Sequence, residues 1–62
     1  MTNVAYTNTA SIALDTAKSQ LDIAWVEVDE DKYASVEARL SMVNDLLNKA
    51  EYALKKMAEN NA

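Results

Sequence analysis

The stretch Tyr33–Met57, YASVEARLSMVNDLLNKAEYALKKM, decides the fold. Within it Tyr33, Val36, Leu40, Val43, Leu47, Ala50, Leu54 and Met57 recur alternately three and four residues apart. A helix brings such positions to one side, so the run predicts a helix laying an apolar seam against another helix. Leu46 and Ala53 widen that seam on one flank. The helix is expected from about 32 to 59. Asp45→Lys49 and Glu51→Lys55 offer exposed pairs in the favourable order. Lys55 and Lys56 sit near the negative C-terminal end, and Asn60 or Asn61 is suited to close it.

Upstream, a first helix is predicted near 9–28. Its seam is Ala10, Leu14, Ala17, Leu21, Ala24 and Val28, spaced four and three in turn. Alanine at every seventh residue allows a facing backbone to approach towards the short end of the roughly 8–10 Å range for packed helices. A second stripe, Ile12, Ile23 and Val26 with Trp25 on its flank, lies nearly opposite. It fits either a helix packed on two sides or a docking patch for a protein partner anchored by Trp25. Residues 1–8 show no apolar period and are expected to fray, with Thr7, Asn8, Thr9 and Ser11 as candidate caps.

Between the helices the register slips. The first seam would next fall on Asp31, whereas the second begins at Tyr33. A turn near 29–32 reconciles the two stripes and makes the helices antiparallel neighbours, with Asp29 or Asp31 capping the second. The competing reading is one long helix with twisted faces, since no Gly or Pro marks the turn.

Composition narrows function. The chain has 62 residues, no Cys, His, Gly or Pro, and net charge −4. One small domain is expected, without disulfide or thiolate metal site, and the usual general base and zinc ligand are missing. Asp15 and Asp22 read as a solvated face rather than an acid–base pair. Glu27, Asp29, Glu30 and Asp31 lack the glycine and ligand spacing of a calcium loop. No catalytic, cofactor or metal residue is expected. There is no apolar run long enough for a membrane span and no signal-peptide pattern at the start, so the expected location is the cytoplasm, that of the host for a viral protein.

Two helices share one interface, yet each carries an apolar stripe wider than one neighbour covers. The fold class is therefore all-α: an antiparallel helical hairpin dimerising into a four-helix bundle. Its expected function is that of a non-enzymatic protein–protein interaction module, a small regulator, adaptor or inhibitor. Expected partners are a second copy and another protein. The partner surface is Ile12, Ile23, Trp25 and Val26, and the packing seam is Leu14, Leu21, Val28, Val36, Leu40, Val43, Leu47, Leu54 and Met57. In architecture the dimer is similar to the Rop-type helical hairpin dimers, with no sequence motif in common. The alternatives are an RNA-binding dimer of that kind or an acidic mimic of nucleic acid that blocks a basic groove. Both are opposed by the scatter of Lys18, Lys32, Arg39, Lys49, Lys55 and Lys56 along an acidic chain.

Overall fold

A computed structural model describes residues 3–60. It consists of α1 (Asn3–Asp29) and α2 (Tyr33–Asn60), folded back on one another as an antiparallel hairpin. The backbone is 47 Å long and 13 Å across. The single-rod alternative is set aside, because the chain leaves helical geometry between Glu30 and Lys32.

The turn closes α1 by a Schellman arrangement. The Lys32 amide donates to the Glu27 carbonyl at 3.0 Å and the Asp31 amide to the Val28 carbonyl at 3.2 Å. Asp31 has φ 59°, the left-handed conformation that this motif requires at that position. Asp is one of the few non-glycine side chains that visits it, and it does so at a cost. Lys32 then offers its carbonyl to the Val36 amide at 3.0 Å and so opens α2. This corrects the expected cap. Asp31 ends α1 rather than capping α2, and its carboxylate accepts a 2.7 Å bond from the Tyr33 hydroxyl. That bond holds the Tyr33 hydroxyl pKa above its ordinary value. Replacing Asp31 with Gly removes the left-handed penalty and one acid beside the negative end of α1. Asp31→Gly should therefore stabilise the hairpin by about 0.5–1 kcal/mol, read as a higher urea midpoint. A lower midpoint would show that the Tyr33 bond outweighs the backbone relief.

The described helices run further than expected. Residues 3–8 are helical rather than frayed, while residues 1 and 2, and the possible cap at Asn61, lie outside the described residues. The extension has a cause. Asn3, Tyr6 and Ala10 continue the three–four spacing, and the Asn60 side-chain amide donates to Asn3 Oδ1 at 3.2 Å. One turn further in, the Thr7 hydroxyl donates to Met57 Sδ at 3.2 Å. These contacts, with Gln20 bonded to Arg39 and Glu27 to Ser35 nearer the loop, fix the register of the pair.

Ala10, Ala13, Ala17 and Ala24 on α1 are buried against Val43, Ala50 and Ala53 on α2. By the register above, Ala10 and Ala13 lie level with Ala50 and Ala53. With only methyl groups between them, the two backbones seal that end of the seam themselves. No large side chain is fully buried among the described residues.

A leucine face beside an alanine seam

The seam between the helices is half the expected one. On α1 the inward residues are Ala10, Ala13, Ala17, Gln20, Ala24 and Glu27; on α2 they are Val36, Arg39, Val43, Leu46, Ala50, Ala53 and Met57. Ala10, Ala17, Ala24, Val36, Val43, Ala50 and Met57 stand where the sequence placed them. The other line does not. Leu14, Leu21 and Val28, and likewise Leu40, Leu47 and Leu54, follow the inward residues by one position and are exposed. One residue is about 100° of helix rotation, so these side chains flank the seam.

Because α2 runs opposite to α1, the flank following the seam falls on the same side of the hairpin in both helices. From the loop outwards, Tyr33, Val28, Leu40, Leu21, Leu47, Leu14 and Leu54 form one row, alternating between the helices. Each is 45–62% exposed, and none carries a formal charge. The opposite flank mixes Thr9, Thr16, Ser35, Lys49 and Lys56 with the exposed Ile12, Ile23, Val26 and Met42, and carries no unbroken apolar row. The hairpin thus has an oily face and a wet one. A buried leucine is worth about 1.5–3 kcal/mol and a methylene about 0.8. The half-exposed leucines therefore leave a substantial part of their possible apolar burial unrealised within the hairpin.

The second stripe is also solvent-facing. Ile12, Ile23 and Val26 are exposed, and Trp25 is the most exposed large apolar side chain at 79%. Ile12 and Val26 point away from the leucine face, whereas Trp25 lies on the α1 rim of that face. The structure therefore does not gather Ile12, Ile23, Trp25 and Val26 into one patch around Trp25, and α1 is not covered on two sides within the hairpin.

The polar part of the seam was not foreseen. Glu27 is 8% exposed and accepts a 2.5 Å bond from the Ser35 hydroxyl and a charge-assisted bond from Arg39 Nε. The same guanidinium donates through Nη1 to Gln20 Oε1 at 2.6 Å. The Ser35 and Arg39 bonds hold the Glu27 carboxyl below its ordinary pKa, against the opposing effect of burial. The sequence signal was available: Gln20 and Glu27 fall seven and fourteen residues after Ala13, and Arg39 fourteen before Ala53. Elsewhere the ion pairs among the described residues are Lys32–Glu30 and Lys56–Glu59, in place of the expected Asp45–Lys49 and Glu51–Lys55. Lys56 also lies 5.5 Å from the Tyr52 ring centroid. Bonding to Glu59 raises its pKa.

Concave features are slight. A groove of about 160 Å³ on the wet side is lined by Thr9, Ile12, Ala13, Leu46 and Lys49. A depression of about 250 Å³ lies along α2 at Asn48, Glu51, Tyr52 and Lys55. Both are smaller than the roughly 300–1,000 Å³ of small-molecule sites. Among the described residues no cluster of three or more acidic, His or Cys side chains could hold a metal, and no helix is long and apolar enough to cross a membrane. No protein-family model, curated protein or solved structure matches the chain.

Proposed function

We propose that this protein is a non-enzymatic interaction module that acts by docking its leucine face on another helical surface. The observation that carries the reading is the continuous uncharged row from Tyr33 to Leu54, exposed along about two thirds of the hairpin's length. Isolated exposed leucines are ordinary, but a contiguous apolar strip rimmed by polar residues marks an interaction surface. The docked surface belongs to a second copy, another protein or both, and Ile12, Ile23 and Val26 give a further apolar surface facing away. A cytoplasmic setting suits a cysteine-free chain. The nucleic-acid readings gain less support. Arg39 is spent on Glu27 and Lys56 on Glu59, and Lys18 and Lys49 lie on different sides of the hairpin.

A photoreactive side chain placed at Leu47 tests the reading in the cells that make the protein. Protein adducts, of the chain itself or of another protein, are expected from Leu47 and not from the outward-facing Asp15. Absence of adducts at Leu47, or equal yield from both sites, would defeat the reading.

A further inference from the structure

We infer that the occupant of the leucine face is a second copy of this chain, giving a two-hairpin, four-helix bundle whose central layers are the leucines. This rests on the reading of that face as a docking surface and names what covers it. The first support is the direction in which each helix is most apolar. In both helices the most apolar line combines half the seam with the flanking leucines: Ala10, Leu14, Ala17, Leu21, Ala24 and Val28 on α1, and Val36, Leu40, Val43, Leu47, Ala50, Leu54 and Met57 on α2. That line points obliquely off the neighbour within the hairpin. A helix in an isolated pair aims its most apolar line at its one neighbour. A helix in a four-membered bundle aims it between two neighbours, at the central axis. Both helices are off-aim by the same step and towards the same side, as a bundle axis beneath that face requires.

The second support is the shape and chemistry of the row. Its residues alternate between α1 and α2 over about 31 Å of the 47 Å hairpin, so an identical row related by a two-fold axis is of matching length and character. Face to face, two such surfaces bring no charged residue of the row together. The aspartates of α1, Asp15, Asp22 and Asp29, lie in line on the far side and stay in water. The third support is area. The whole face, 47 by 13 Å, offers roughly 600 Å² per copy, or about 1,200 Å² for the pair, at the lower bound for a stable specific interface; the leucine row occupies about two thirds of its length and the polar outer end supplies the rest. Side chains splaying beyond the backbone add to it. In such a bundle Ile12, Ile23 and Val26 remain outside.

Sedimentation equilibrium of the purified chain, with thermal melting over about a hundred-fold range of concentration, tests the inference. The expected result is twice the 6.9 kDa of the chain, with a melting temperature that rises with concentration. Leu21→Lys with Leu47→Lys, at the middle of the face, should weaken association about a hundred-fold or more, whereas Ile12→Lys on the outside should leave it unchanged. Where the double variant does not fold, Leu47→Gln replaces it, with an expected weakening of about ten-fold. A folded monomer whose melting is independent of concentration overturns the second copy but leaves the docking reading to the crosslinking at Leu47. An assembly larger than two overturns the bundle. A dimer lost on Ile12→Lys but kept in the leucine variants overturns the choice of face.

Discussion

Ala53→Leu is expected to lower stability by about 1–3 kcal/mol or more, although it adds an aliphatic side chain to an apolar position. Ala53 is 0% exposed and lies level with the alanines of α1, where the helix backbones meet across methyl groups. There is no room for three further carbons unless the helices part. Parting them breaks the close packing of Ala10, Ala13 and Ala50 together, and the Thr7–Met57 contact beyond them. A domain of this size has roughly 3–9 kcal/mol of stability to lose, so the variant should melt about 10 °C lower or worse. The control is Ala38→Leu on the exposed side of α2, expected within about 0.5 kcal/mol of the parent. Both are read by circular-dichroism melts at one fixed concentration, since coupling to association moves the melting temperature. Equal melts for the two variants would mean that the alanine seam is loosely packed.

The same seam explains how far the sequence could be read. The helices, the turn and the antiparallel pairing follow from the three–four spacing and from the slip at Asp31–Tyr33. Ala10, Ala17, Ala24, Val43 and Ala50 are correctly legible as inward residues. Leu46 and Ala53 are legible too, as the residues that widen the second seam, but their counterparts on α1 are not, because hydrophobicity ranks Leu14 and Leu21 above Ala13 and Gln20, while the close approach of the two helices favours alanine at Ala13. A leucine line and an alanine line one residue apart face two different directions, and a single-sequence reading merges them into one stripe. Glu27 and Arg39 were hidden for another reason. Heptad spacing places both on the inward line, but each is a poor core residue alone and acceptable only opposite the other, so the spacing is decisive only when the two helices are paired across the turn. The start of α1 escapes the hydropathy reading because Asn3 extends the seam through a polar contact with Asn60 that hydropathy does not register.

That pairing gives the remaining large effect. Arg39→Met should leave the Glu27 carboxylate at the seam with Ser35 as its one hydrogen-bond partner and only the charge of Lys32 nearby, and the melting temperature at neutral pH should fall by several degrees. Glu27→Met in the same chain should recover most of the loss, because a seam with neither charge desolvates nothing. Lys56→Met, which breaks an exposed pair, should change little. Acid provides the sign. The folded-state pKa of Glu27 lies below its ordinary value of 4.5, so the folded chain binds this proton more weakly than the unfolded one does. Its stabilisation is complete above the unfolded value and is lost as pH falls through the folded value. The parent should therefore lose stability on acidification below about pH 4.5, and Glu27→Met with Arg39→Met should lose less over the same interval. Arg39→Met alone should lie between them, since the Ser35 bond, the larger cause of the depressed pKa, remains. Parallel acid profiles for parent and double variant would assign the acid sensitivity to other carboxylates. An unchanged melting temperature in Arg39→Met would show that water already satisfies Glu27 where the two helices meet near the turn.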